Sequence, residues 1–173
     1  MAETIFMLRE LLDKQRNYTD HFFTTIDLQP LEQLIQRLLT CEGVLFFTGV
    51  GKSGLVAKKI AFTMVSTGTR AFYLSPTDAL HGDLGMVSSE DVFIILSKSG
   101  ESDELINLLP AIRNKGATLI GVVCNPDSRL AAGCHITVTL PFKHELCPFD
   151  MAPTMSTTIQ LLFGDLLTIA LMR

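Results

Sequence analysis

Five short apolar runs, separated by stretches of helical periodicity, constrain this chain more than any other feature. They cover residues 44–48, 71–74, 92–96, 119–123 and 135–140. Strands apolar on both faces belong in a parallel sheet covered by helices on either side. Apolar residues recur at helical spacing over 53–66 and 103–115, and residues 153–172 read as a long apolar helix. Ahead of the first strand, Ile5, Leu8, Leu11 and Leu12 mark a helix over about 4–26, and a second covers 30–39 with Asp27 as its capping residue. The expected fold is therefore α/β, a three-layer sandwich around a five-stranded parallel sheet, flavodoxin-like or Rossmann-like. One domain is expected over 1–173, with a helical segment at about 1–40 and an α/β core at about 43–173.

Composition supports a large core: of 173 residues, 47% are hydrophobic and 18% charged. A net charge of −4 argues against a general nucleic-acid surface, which needs clustered Lys and Arg. It leaves room for a small anion held by backbone donors and a single Lys. Cys41, Cys124, Cys134 and Cys147 form no C-x-x-C pair, so no metal site is expected and the thiols read as buried groups of a cytosolic protein. The first residues lack a basic region followed by an apolar run, and Thr157, Thr158, Gln160 and Asp165 interrupt the closing helix. A cytoplasmic protein without membrane contact is the expectation.

In such a sheet the loops after the strands share one edge, where ligands bind. The first holds Gly49-Val50-Gly51-Lys52-Ser53-Gly54. Phe46 stands where a Walker A loop needs its first Gly, so that reading fails. G-x-G-x-x-G is satisfied, and Asp78 would serve as the ribose-binding acid of a dinucleotide fold. The bland alternative is a glycine turn beside a solvated Lys. After the third strand, Ser97-Lys98-Ser99-Gly100-Glu101-Ser102-Asp103-Glu104 alternates hydroxyls through a turn into a helix, which suits phosphate oxygens, although Ser and Asp also favour a plain N-cap. Two such loops on neighbouring strand ends weaken both the plain cap and the dinucleotide reading. His81, flanked by Gly82 and Asp83, is a proton-transfer candidate, and Glu145 after the fifth strand is a candidate general base.

These segments, with Ala79-Leu80-His81-Gly82-Asp83-Leu84-Gly85, Glu145-Leu146-Cys147-Pro148, Ala152-Pro153-Thr154 and Ser156-Thr157-Thr158, resemble arabinose 5-phosphate isomerases of the sugar isomerase (SIS) domain family. The resemblance runs in order over nearly the whole chain. It implies interconversion of D-ribulose 5-phosphate and D-arabinose 5-phosphate through an enediol, on the route to the lipopolysaccharide sugar Kdo, with no cofactor. Lys52, Glu104 and Glu145 are the catalytic residues it implies, with His81 lining the site; Gly51, Ser53, Ser97, Ser99 and Ser102 match the phosphate-binding positions. Between the two base candidates, Glu145 is narrowly preferred to His81. The family's further His-Pro-Gly-type segment and CBS pair would lie past Arg173, so a weakly active domain is expected from these residues alone. Lys98 replaces an Asn common in the family, adding charge near the phosphate. SIS sites are completed by neighbouring subunits, and the apolar first and last helices offer excess apolar face, so a homo-oligomer, dimer or tetramer, is expected. Two alternatives remain open: a phosphosugar-sensing module without catalysis, and an NAD-dependent oxidoreductase, which would perturb NADH fluorescence.

Overall fold

The computed structural model describes residues 2–172. A long helix, α1 (Ala2–Thr25), leads into α2 (Leu28–Leu39), whose Asp27 cap accepts from the Gln29 N–H at 2.9 Å. Then follow β1 (Leu45–Gly49), α3 (Gly51–Ser66), β2 (Ala71–Tyr73), α4 (Pro76–Leu80), a 3-10 turn (Asp83–Met86), β3 (Val92–Ser97), α5 (Asp103–Ile106), α6 (Leu109–Asn114), β4 (Thr118–Val123), α7 (Arg129–Gly133), β5 (Ile136–Thr139) and α8 (Met155–Ala170). The five strands are all parallel, in the order β2-β1-β3-β4-β5. The order reverses between β1 and β3, where a doubly wound sheet opens a crevice at its strand ends.

Each strand sends alternate side chains to opposite faces. On one face Leu45, Phe47, Ile94 and Val122 pack with Leu34 of α2, Ile60 and Met64 of α3 and Phe163 of α8. On the other, Phe46, Phe93, Ile95 and Leu119 meet Leu84, Leu105, Ile112 and Leu130. The three-layer sandwich and its parallel sheet follow directly from apolar runs with no solvent face.

Three local details differ from the sequence expectation. The helix expected over 103–115 is broken between Ile106 and Leu109, because Pro110 has no N–H to donate and its ring excludes the carbonyl of Ile106. The five-residue helices α4 and α7 carry too little periodicity to read; Ser75 and Ser128 cap them by accepting from Asp78 and Ala131. The cysteines are free but only half buried, not wholly enclosed, and burial pushes the Cys124 and Cys134 thiols up to about 12. Among the described residues, no helix is long and apolar enough to cross a membrane. Along α1, by contrast, Phe6 and Leu12 are each 64% exposed, and Ile5 and Leu8 about half exposed.

Candidate functional site

The glycines after β1 do two jobs. Gly51 has φ +59 and nothing within 4 Å of a would-be Cβ, so it makes the left-handed turn at an open surface. Gly49 and Gly54 instead pack on each other: a Cβ on Gly54 would overlap the Gly49 carbonyl oxygen. That contact brings the first turn of the 16-residue α3 against the end of β1. Exposed Lys52 and half-buried Ser53 lie on this first turn, beside its free N–H groups.

The serine loop is held from within and from the side. Ser97 Oγ accepts from Gly100 N at 3.0 Å, and Ser99 Oγ from Glu101 N at 3.2 Å. Both hydroxyl hydrogens remain free to donate. Ser102 occupies the N-cap of α5 without a side-chain capping bond. Gly100 has φ +68 and lies against Ser128, whose Oγ a Cβ there would overlap. Arg129 of α7 clamps the loop, donating to Glu101 at 2.6 Å and to Asp103 at 2.9 Å. The Arg129 hydrogen bond holds the Glu101 carboxyl below its ordinary value.

Where β1 and β2 end, a cavity of about 220 Å³ opens between the glycine turn and the loop after β2, with Glu104 of α5 reaching it; Ser97, Ser99 and Ser102 are not among its lining residues. Gly49, Gly51, Ser75 and Thr77 line it, with Tyr73 and the carboxylate-bearing Glu104. Burial, and then the charge of Asp78, raises the Tyr73 phenol, which therefore enters as a donor. His81 ends α4, exposed, with its N–H bonded to the Thr77 and Asp78 carbonyls. The turn that carries His81 is thus adjacent to the cavity wall, while the ring itself is not part of that wall.

Glu145 is placed differently from the sequence expectation. It is 3% exposed. Oε2 accepts from Thr154 N (2.9 Å), Thr154 Oγ1 (3.1 Å) and Ser156 N (3.1 Å), while Oε1 accepts from Ser156 Oγ and meets Lys98 Nζ at 3.0 Å. Burial pushes its carboxyl up, but the bonds from Ser156, Thr154 and Lys98 outweigh it and hold the group below the ordinary carboxylate value. Its own loop is tied by Asp150, which has φ 54 and accepts from Glu145 N at 2.5 Å. Glu145 lines a second cleft, about 590 Å³, between this loop and Glu10, Lys14 and Tyr18 of α1. The structure therefore gathers Gly51 and Glu104 at one cavity and sets Glu145 at another, with its lone pairs engaged. This geometry weakens the general-base preference for Glu145, because no lone pair is free to take a proton.

Sequence reasoning missed Tyr73, Ser75 and Thr77 in the cavity, and the Lys98–Glu145 pair. Ser75 had a legible signal, Ser-Pro ahead of a short helix; the pair joins positions far apart in the chain and had none.

A five-stranded parallel sheet in the order β2-β1-β3-β4-β5, with a glycine turn after β1 and a serine loop after β3, defines the class: a doubly wound α/β domain. The chain belongs to the SIS domain family, whose pattern matches residues 38–170. It is 46% identical over 136 residues to the arabinose 5-phosphate isomerase KdsD of Pseudomonas aeruginosa, covering 79% of this chain and 42% of that protein. It is 43% identical over 164 residues to an uncharacterized protein of Chlamydia muridarum, covering 95% of this chain and 50% of that protein. A protein of Escherichia coli CFT073 solved in complex with arabinose 5-phosphate superposes with a TM-score of 0.93 at 36% identity, covering 99% of this chain and 90% of that one. The chain spans about half the length of the curated relatives it matches.

Proposed function

We propose that this chain carries the isomerase site for D-ribulose 5-phosphate and D-arabinose 5-phosphate, as its similarity to KdsD suggests. The observation that carries this reading is Glu104, which lines the cavity beside the glycine turn and follows the loop whose serines offer hydroxyls to a phosphate. Ser97, Ser99 and Ser102, with the N–H groups of Gly51 and Ser53, take the phosphate oxygens. Glu104 removes the proton from C1 of the ketose; the electron pair forms the C1=C2 bond, and the C2 oxygen takes up negative charge. Lys52 stabilises that oxygen. Returning a proton to C2, with loss of the O1 hydroxyl proton, gives the aldehyde. His81, beside the cavity wall, moves the proton between the two oxygens. The product supplies Kdo assembly, and the reaction needs no cofactor. Self-association is proposed from the exposed apolar face of α1.

Incubation with ribulose 5-phosphate, followed by 13C NMR, tests the reading. Appearance of arabinose 5-phosphate supports it. Saturable binding of arabinose 5-phosphate with no conversion would favour the sensing module instead.

A further inference from the structure

Lys98 stands between Ser97 and Ser99 in the loop assigned to phosphate, yet its side chain points away from that task. Nζ lies 3.0 Å from Glu145 Oε1 and 4.6 Å from the centre of the Phe142 ring. The Lys98 side chain is 35% exposed and that of Glu145 fully buried. Among the described residues, Lys98 is the one cation paired with Glu145. The other ionisable groups nearby cannot replace it. Cys124, at the end of β4, is kept neutral by burial. Asp150, paired with His144 on the same loop, is an anion that spends one oxygen on Glu145 N. Glu10 and Lys14 of α1 lie across the cleft. The ionisation of Glu145 therefore rests on the amide and hydroxyl donors of residues 154–156 and on one ammonium, and the serine loop carries that ammonium.

A dianionic phosphate in the loop is a competing acceptor for the Lys98 donors, within reach of a flexible four-carbon stem. A buried carboxylate that loses its counter-ion gains proton affinity. We propose that Lys98 is a positioning residue that reports occupancy of the serine loop to Glu145: an anion bound at residues 97–102 draws the ammonium off Oε1 and frees that oxygen to take a proton. Glu145 is then a locked carboxylate in the empty protein and a proton acceptor once the loop is filled. Occupancy of the serine loop is thereby read out at the second cleft, which Glu145 lines. The proposal rests on the reading of the serine loop as the anion site, and it needs no turnover to be tested.

The test follows the Glu145 carboxyl carbon by NMR in 13C-glutamate-labelled protein, its signal identified by loss in Glu145→Gln. Sulfate serves as the probe because it stays dianionic through the titration. In wild-type protein, saturating sulfate should raise the Glu145 midpoint by about one pH unit, a tenfold gain in proton affinity. In Lys98→Met the midpoint should already be raised, and sulfate should move it far less; Lys98→Arg should behave as wild type. An unchanged midpoint in Lys98→Met overturns the proposal. So does an equal sulfate shift in Lys98→Met and wild type, which would be the field of the anion alone. Should Lys98→Met fail to fold, Lys98→Gln, which also lacks the ammonium, takes its place in the same comparison. If sulfate moves the amides of 97–102 but not Glu145, the proposal alone fails. If it moves neither, the anion-site reading fails with it.

Discussion

Replacing Glu145 by Gln should cost about 3 kcal/mol of folding stability. The carboxylate accepts from two backbone N–H groups, two hydroxyls and one ammonium. A carboxamide turns one oxygen into a donor. In the Oε2 position the new NH2 faces Thr154 N and Ser156 N; in the Oε1 position it faces Lys98. Either choice strands donors against donors and removes the Lys98 counter-charge. Breaking a buried pair from one side costs roughly 3–5 kcal/mol, and the partial exposure of Lys98 lets water relieve it, which selects the lower end. Urea unfolding with an unchanged m-value measures the loss. The sign of its pH dependence follows from the lowered folded-state value. Such a group adds stability above its unfolded value of about 4.3, and loses it as pH falls through the folded value. The gap between wild type and Glu145→Gln should therefore close in acid. A loss under about 0.5 kcal/mol, or a gap that widens as pH falls, would refute the account of this shell.

Gly54→Ala should lower stability by about 2–3 kcal/mol, read by thermal melting, because its Cβ would overlap the Gly49 carbonyl oxygen and force α3 off β1. Ser99→Ala, at an exposed position, should leave stability within about 0.5 kcal/mol but weaken arabinose 5-phosphate binding about tenfold or more by calorimetry, if one charge-assisted bond is lost. Light scattering at micromolar concentration should give a mass above the monomer; a strictly monomeric mass would remove the argument from the exposed Ile5, Phe6, Leu8 and Leu12.

The strands were legible because burial on both faces removes the polar residues that would otherwise blur them. Asp27 was legible as a cap for the same kind of local reason, since its acceptor meets a donor two residues on. The break at Pro110 was also written in the chain, but apolar spacing across 103–115 masked it. Within the site, the two loops and Glu104 could be placed by counting strand ends. The double role of the glycines could not, because whether Gly49 and Gly54 face a ligand or each other depends on how closely α3 docks. Glu145 read as a free acid beside an anion site, because its donors Thr154, Ser156 and Lys98 come from two other segments. A carboxylate's role is set by such partners more than by its neighbours in sequence.

The most direct test of the central claim is wash-in of solvent deuterium at C2 of arabinose 5-phosphate formed from ribulose 5-phosphate in heavy water. The protein should incorporate deuterium, and Glu104→Gln should slow incorporation at least about a hundredfold while leaving phosphosugar binding within about threefold. Undiminished deuterium incorporation in a folded Glu104→Gln variant would contradict the claim that the cavity lined by Glu104 performs the proton transfer.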